Sequence, residues 1–253
     1  MYRFRINMNS KLLTISQASK MLGVSIQTLR RWDDAGKLSS VRKGITGHRY
    51  YTRDDIDNYI KNNIRSLLVK LARSWVVSDL RTEFYPDFYC LDSSVFQARL
   101  ARLESKLGEI RELGKIFPLI SAITGEIGNN SFDHNLGKWP DIPGVFFAYD
   151  LREKKIVLAD RGQGVLATLK RVRPKLSTHQ EALDVAFNEV ISGRAPEYRG
   201  NGLKFVRNVV ADNKINLIFQ TGDAKLKIDK SRVNLNIEKA NVYLQGCLAL
   251  IKF

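Results

Sequence analysis

The pattern of apolar and polar positions predicts two short helices near the start of the chain. Thr14 and Gln17 form a capping box, in which each side chain bonds to the backbone of the other, and a helix follows through residue 22. A glycine turn comes next, and Ser25 can cap a second helix that Leu29 and Trp32 anchor in the core. Two short helices joined by a glycine-containing turn are typical of a helix-turn-helix.

A hairpin is predicted directly after these helices. Residues 41–51 combine β-favouring side chains with basic residues and two glycines, and Thr52 and Asp55 then form another helix start. Glutamine and arginine side chains can bond to base edges, while threonine and arginine suit phosphates. The residues that we expect to contact DNA are Gln27, Thr28, Arg30 and Arg31 on the second helix and Arg42, Lys43, His48, Arg49 and Tyr51 on the hairpin.

The order of helix, turn, helix, hairpin and helix over residues 12–60 resembles the MerR family of winged helix-turn-helix domains. The motifs that carry the resemblance are LGVS at 22–25, TLRRW at 28–32 and GHRY at 47–50. The resemblance implies binding to double-stranded DNA, with the second helix in the major groove and Arg49 at the phosphates. The alternative is a helical mini-domain that contacts another protein.

The middle of the chain is predicted to be mostly helical. Residues 64–75 place apolar side chains on one helical face, and the aromatic stretch 84–91, which Pro86 interrupts, is a candidate docking surface between domains. Charged residues then separate the positions of a heptad-like apolar seam, which are Phe96, Leu100, Leu103, Leu107 and Ile110. Since MerR-like proteins usually bind DNA as dimers, we expect this seam to pair with a second copy in a homodimer. The alternative is that it packs on its own domain.

Three short motifs in the second half predict a nucleotide site. The first, EIGNN at 126–130, lies on a predicted helix over 116–135, where Glu126 and Asn130 share one face. The amide oxygen of Asn130 suits Mg²⁺ beside phosphates, and Glu126 can orient or deprotonate a water molecule. The second motif, DRGQG at 160–164, follows two predicted strands, 145–150 and 155–159. Its Asp160 can accept a hydrogen bond from an exocyclic amine such as that of adenine.

The third motif, RGNGL at 199–203, is a glycine turn that leads into a helix, whose first amides can bind phosphate with Lys204 nearby. The intervening residues 165–199 are too many for a structureless loop and predict a partly helical lid. Its candidate phosphate-binding cations are Arg171, Arg173, Lys175 and Arg194. Further strands are predicted near 215–220, 225–229 and 242–253, with a hairpin turn at 221–223.

Taken in order, the three motifs resemble the GHKL (Bergerat-fold) ATPases over residues 116–253. The resemblance implies ATP or ADP with Mg²⁺, with a metal ligand at Asn130, a catalytic role for Glu126, and nucleotide contacts from Asn130, Asp133, Asp160, Gly162, Gly164, Gly200, Gly202, Leu203 and Lys204. The second glycine motif is shorter than in most of these ATPases. No phospho-acceptor histidine precedes the domain, which argues against a complete histidine kinase.

Composition agrees with a polyanionic partner. The net charge is +15, and residues 1–61 hold 12 Lys/Arg against 5 Asp/Glu. Two cysteines without paired spacing argue against a zinc site or a disulfide framework, and no apolar stretch is long enough to cross a membrane. We therefore expect a cytoplasmic protein without membrane contact.

The predicted fold class is α+β, with a winged helix-turn-helix at 1–61, a helical linker and possible dimerisation segment at 62–115, and at 116–253 an α/β sandwich whose sheet is mixed but mostly antiparallel. The function expected from this arrangement is a nucleotide-responsive DNA-binding regulator, with ATP hydrolysis left open. The alternatives are a protein serine/threonine kinase like the anti-sigma factors, or an ATP-dependent DNA-remodelling, defence or mobile-element protein.

Overall fold

The computed structural model describes residues 12–44, 47–77, 87–189, 201–229 and 235–253. The chain divides into two compact units, Met1–Ser74 and Trp75–Phe253. The boundary between the units falls inside the predicted linker at 62–115, so its first residues belong to one unit and the rest belong to the other. Across the described ranges, no helix combines the length and apolar character needed to span a bilayer.

The first unit is a small three-stranded sheet with three helices. Its elements are β1 (Leu12–Thr14), α1 (Ile15–Leu22), α2 (Ile26–Asp34), β2 (Val41–Lys43), β3 (His48–Thr52) and α3 (Arg53–Val77), the last of which extends past the boundary of the unit. The sheet is antiparallel in the order β1-β3-β2. Both bonds of the predicted capping box at Thr14 are present, and the Ser25 side chain accepts the amide of Thr28. The predicted winged helix-turn-helix order is therefore confirmed.

Close packing fixes the turn between α1 and α2. Gly23 has φ 62°, and a Cβ there would lie 2.5 Å from the carbonyl oxygen of Lys70 in α3. A side chain at this position would need both an unfavourable backbone conformation and a displaced helix. The two helices predicted between residues 52 and 75 are both present within α3 and meet at a kink, where Asn63 has non-helical backbone.

The second unit is a five-stranded antiparallel sheet with helices. Its elements are β4 (Tyr89–Cys90), α4 (Ser93–Gly108), a 3-10 helix (Arg111–Ile116), α5 (Phe117–Asn135), β5 (Val145–Asp150), β6 (Lys155–Asp160), α6 (Gly164–Leu169), α7 (His179–Asn188), α8 (Gly202–Asp212), β7 (Asn216–Ile228) and β8 (Asn236–Lys252). The strand order is β4-β5-β6-β8-β7. The α+β class is confirmed, and every pairing between these strands is antiparallel.

The predicted dimer seam is buried inside its own unit. Phe96, Leu100, Leu103 and Leu107 on α4 belong to the hydrophobic core formed with α5 and the sheet. Gly128 on α5 leaves the space that the Phe96 ring occupies, because a Cβ there would overlap the ring. The prediction that this seam pairs with a second copy is wrong, since its apolar side chains are already covered. The homodimer itself stays a prediction without an assigned surface.

Two further expectations are corrected in the second unit. The hairpin turn predicted at 221–223 is instead a register shift within β7, where Gly222 has φ 55°. The helix predicted as part of a lid is α7, whose buried side chains join the core and whose Phe187 ring packs 5.4 Å from that of Phe219. A helix anchored in this way cannot open without exposing core surface. Residues 190–200, with Arg194 and Gly200, lie outside the described residues.

The aromatic stretch 84–91 contributes partly to the sheet. Tyr89 pairs with Phe146, which makes β4 the edge strand beside β5. The rings of Trp75 and Phe88 lie 6.1 Å and 5.5 Å from the ring of Phe146. These residues therefore pack within the second unit, while residues 84–86 lie outside the described residues.

Candidate functional site

The first candidate surface is the exposed face of α2. Leu29 points into the core, while Gln27, Arg30 and Arg31 are exposed. Thr28 is half-buried, and its hydroxyl lies 2.9 Å from that of Ser25. Three of the four predicted DNA-contacting side chains on this helix are thus accessible, whereas Thr28 is also part of the helix cap.

The predicted cations of the hairpin point to both of its faces. Arg42 pairs with Arg49, and Lys43 pairs with His48, so the two pairs project from opposite sides of the ribbon. The Arg49 guanidinium donates to Asp33 Oδ2 at 2.6 Å and to Asp34 Oδ1 at 2.8 Å. The side chain predicted to bind phosphate is therefore ion-paired with the end of α2 in the free protein.

Tyr51 is not available to DNA. Its side chain is fully buried, and its hydroxyl donates to the carbonyl oxygen of Leu29 at 3.3 Å. Burial also raises the pKa of the Tyr51 phenol. The prediction of a DNA contact at Tyr51 is wrong, because β3 turns this residue inward and the side chain serves the core of the first unit.

The second candidate site is a pocket in the second unit that encloses about 870 Å³, open solvent at its mouth included. The pocket is lined by α5, the end of β6, both ends of α6, the first turn of α8 and the part of β8 at 247–249, with one residue each from α7 and β7. Its lining includes the predicted residues Asn130, Asp160, Gly164, Gly202 and Leu203. The three sequence motifs, which are far apart along the chain, therefore meet at one cavity.

Asp160 is a buried acceptor on the wall of this pocket. Its side chain accepts the Gly162 amide at 2.8 Å and the Ser131 hydroxyl at 2.8 Å. Burial nevertheless raises the pKa of the Asp160 carboxyl above its usual value, although these bonds act in the opposite direction. A buried carboxylate gains more from a ligand that donates a hydrogen bond than an exposed one does, because no water competes for the oxygen.

Glycines surround this carboxylate for steric reasons. Gly164 has φ 77°, and a Cβ there would lie 2.9 Å from Thr221 Oγ1. Gly246 on β8 has φ 88°, and a Cβ there would overlap the backbone of Asp160. Gly162 does not line the pocket, but its amide helps to hold Asp160 and its position leaves no space for a side chain beside Asn135. The DRGQG glycines are thus explained by close packing.

The start of α8 faces the same pocket. Among the described residues, which exclude 190–200 just before this helix, the cap residue Asn201 makes no side-chain bond to the first turn. Helix amides without such a cap can bind an anion. Glu126 and Asn130 approach this turn from α5, since a Cβ on Gly202 would lie 2.5 Å from Glu126 Oε2 and 3.5 Å from Asn130 Nδ2. The first and third motifs therefore form one corner of the site.

Several predicted nucleotide contacts do not line the cavity. Asp133 is exposed, because the helical turn of 100° per residue directs it away from the face that carries Asn130 and Ser131. Glu126 and Lys204 are partly buried near the start of α8 but are not part of the lining. Fewer of the predicted residues therefore line the cavity than the motifs suggested.

The sequence did not single out the polar groups behind Asp160. Ser131 and Asn135 follow Ile127 at helical spacing on α5, and Asn135 Oδ1 accepts the Gln163 amide at 2.8 Å. Cys247 on β8 lies beside the Asp160 carboxylate, and burial raises the pKa of its thiol well above the usual value. In the sequence, these positions could have been recognised only as polar residues within otherwise apolar helices and strands.

His134 is a further lining residue. Its Nδ1 atom is buried without a hydrogen-bond partner among the described residues. Burial lowers the pKa of the imidazole, and the charge of Arg171 acts in the same direction. A largely neutral imidazole is thus placed on the wall of the cavity.

Over the described part of the chain, no group of three or more His, Cys, Asp or Glu side chains is arranged to hold a metal ion. Both cysteines are free thiols. Asn130 alone fits a Mg²⁺ ion that takes most of its ligands from phosphates and water.

One family model matches part of the first unit. Residues 14–51 match the family described as MerR family regulatory protein. This segment is therefore similar to the helix-turn-helix of that family. The match agrees with the order of helices and hairpin described above and covers only the first unit.

Two curated relatives match over short segments. The chain is 39% identical over 59 residues to the type II methyltransferase M.Eco47II of Escherichia coli, covering 23% of this chain and 14% of that protein. It is 42% identical over 50 residues to the transcriptional repressor DcmR of Methylorubrum extorquens, covering 20% of this chain and 19% of that protein. The matching segment thus spans less than a fifth of either relative.

Among solved structures, the chain is similar to the ATPase region of Saccharomyces cerevisiae topoisomerase II. The TM-score is 0.35 at 14% identity, and the match covers 53% of this chain and 37% of that chain. A similarity at this level does not establish a function.

Proposed function

We propose that this protein is a DNA-binding regulator whose second unit binds ATP or ADP together with Mg²⁺. The observation that carries the nucleotide part is the pocket in which Asp160 and the uncapped start of α8 face one cavity. A buried carboxylate suits the amine of a base, and helix amides suit phosphates. The two groups together fit a nucleotide better than either would alone.

The DNA part of the proposal rests on the first unit. The MerR-type segment presents exposed Gln27, Arg30 and Arg31 on α2, and the chain as a whole carries a net charge of +15. One relative, which matches the chain over 50 residues, is named as a transcriptional repressor. A role in regulating transcription follows by analogy with that relative.

Nucleotide sensing is favoured over rapid hydrolysis. Glu126 lies near the start of α8 but outside the pocket lining, so a water-activating role needs the bound phosphates to complete its geometry. In the proposed mechanism, Asp160 orients the base, and the first amides of α8 hold the phosphates. Asn130 would supply an oxygen to Mg²⁺, which would neutralise phosphate charge when bound.

The nucleotide can regulate DNA binding only if the two affinities are coupled. A ligand shifts an equilibrium between two arrangements only when it binds one of them better. Coupling of this kind is reciprocal, so DNA must also change the affinity for nucleotide by the same factor. A single set of affinities therefore tests the regulatory claim in both directions.

The test measures duplex affinity by fluorescence anisotropy with no nucleotide, with Mg²⁺ alone, with ADP–Mg²⁺ and with ATP–Mg²⁺. The duplex is one that the wild-type protein selects from a randomised library. We expect a nucleotide-dependent change of at least about fivefold, the lower end of usual allosteric couplings. Equal affinities in all four conditions, with ATP binding confirmed by calorimetry, would refute nucleotide regulation. Failure to bind ATP would refute the pocket assignment.

A further inference from the structure

The carboxylate of Asp33 joins the end of α2 to the hairpin. Its side chain is only 10% exposed. It accepts the Ser40 amide at 2.7 Å and the Ser40 hydroxyl at 2.8 Å, just before β2. It also accepts Arg42 Nη2 at 2.9 Å and Arg49 Nε at 2.6 Å, one from each strand of the hairpin. One side chain thus binds the connecting segment and both strands.

The charge of Asp33 is maintained by these donors. Burial acts to raise the pKa of the carboxyl, but hydrogen bonds from Arg49 and Ser40 and the charge of Arg42 outweigh it and leave the pKa below its usual value. The group is therefore an anion at neutral pH. Replacement of one carboxylate oxygen by an amide nitrogen would leave some of these donors without an acceptor in a poorly solvated place.

The hairpin needs this anion because of its own register. Arg42 and Arg49 are directly opposite each other across β2 and β3. Two like charges in such a pair repel and destabilise the ribbon. Asp33 lies between them, so the carboxylate offsets the repulsion and directs both guanidinium groups towards the end of α2.

We propose that Asp33 is a positioning residue for DNA binding, which sets the hairpin arginines at a fixed place relative to the base-reading face of α2. This inference rests on the proposed DNA-binding function. Specific binding requires the helix and the hairpin to meet the duplex together, since phosphate contacts fix register while base contacts specify sequence. Asp33 makes no contact with DNA itself, where its charge would repel phosphate.

Asp34 provides a matched comparison. It is the next residue on α2, its side chain is 65% exposed, and it binds Arg49 Nη2 at 2.8 Å. Asp33→Asn and Asp34→Asn add the same charge at nearly the same place. Electrostatics alone predicts that both substitutions strengthen binding to any duplex. Positioning by Asp33 predicts a loss of specific affinity in the first variant only.

The experiment uses the full chain, a duplex that the wild type selects from a randomised library, and a scrambled duplex of the same composition. We expect Asp33→Asn to bind the selected duplex about tenfold more weakly, as for the loss of charged hydrogen bonds. Both variants should bind the scrambled duplex at least as tightly as the wild type. Hydroxyl-radical footprinting should show that Asp33→Asn no longer protects the DNA backbone where the hairpin arginines of the wild type bind.

The Ser40→Ala variant keeps the inference testable if Asp33→Asn unfolds. Ser40→Ala removes one donor to Asp33, so it should lower specific affinity in the same direction and by less. With Arg49→Ala as the starting protein, Asp33→Asn should have a smaller effect, because the residue acts partly through Arg49. Equal behaviour of Asp33→Asn and Asp34→Asn, or an unchanged effect in the Arg49→Ala protein, would overturn the inference. If the wild type selects no duplex, the proposed function fails and this inference fails with it.

Discussion

Replacement of Asp160 by asparagine separates nucleotide binding from folding. The carboxylate lies on the pocket wall and accepts the Gly162 amide and the Ser131 hydroxyl. Asparagine keeps the size of the side chain but presents a donor in place of one acceptor. A hydrogen bond from a base amine to a charged acceptor contributes about 1.5–3 kcal/mol. Since 1.4 kcal/mol is tenfold in affinity, ATP should bind about 10–150-fold more weakly.

The same substitution should not unfold the protein. The folded-state pKa of Asp160 lies above its usual 3.8, so the ionised carboxylate is less favourable in the folded than in the unfolded chain. The contribution of this group to stability is therefore fully present below pH 3.8 and is lost as pH rises through the folded-state pKa. Asparagine carries no charge, so the stability of the variant relative to the wild type should increase as pH rises above 3.8.

Asp150→Asn is the matched control. Asp150 ends the neighbouring strand and accepts the amides of Arg152 and Glu153 in the turn that follows. It does not line the pocket. Isothermal calorimetry with ATP–Mg²⁺ and urea unfolding should show loss of affinity without loss of stability for Asp160→Asn, and the reverse for Asp150→Asn. Wild-type ATP affinity in Asp160→Asn would refute the assignment of this pocket as a nucleotide site.

Three further predictions concern other parts of the structure. Tyr51→Phe should lower the free energy of unfolding by about 1 kcal/mol through loss of the bond to Leu29, with unchanged DNA affinity in a gel-shift assay; weaker DNA binding at unchanged stability would contradict the buried role. Gly246→Ala should lower the free energy of unfolding in urea by at least about 2 kcal/mol more than Gly137→Ala does. Both glycines have positive φ, but of the two only Gly246 lies against backbone atoms. Equal losses of stability would contradict the overlap. Glu126→Gln should retain ATP affinity within about threefold, because a residue outside the lining contributes less than about 1 kcal/mol to binding. A radiolabelled-phosphate assay should show slower ATP hydrolysis, if the wild type hydrolyses ATP. An unchanged rate would exclude Glu126 as the general base.

Local signals in the sequence were sufficient for many elements. The capping box at Thr14 and the cap at Ser25 define helix starts through contacts within three residues. Such signals need no distant partner, so the order of the winged helix-turn-helix could be predicted without a structure. The same holds for α5, where helical spacing placed Asn130 on the face that borders the pocket.

Patterns that depend on a distant partner were less reliable. The heptad-like spacing on α4 shows that one face is apolar, but the same spacing suits a second copy of the chain or a helix of the same unit. The Phe96 ring is buried against Gly128 on α5, so the apolar face packs on a helix of the same unit. Likewise, the local sequence around Gly222 predicts a turn, but β7 pairs with β8 on both sides of this glycine.

The sequence by itself determined where helices begin, where the chain must bend, and which residue types are capable of binding nucleotide and DNA. Those properties follow from short-range hydrogen bonds and from side-chain chemistry. Only the tertiary structure decided which of the candidates face a common cavity or surface. Tyr51 turns into the core and Asp133 turns away from the pocket, whereas Ser131 and Cys247 meet Asp160. Their positions depend on strand register and helix rotation, which are fixed by packing between segments that are distant in sequence.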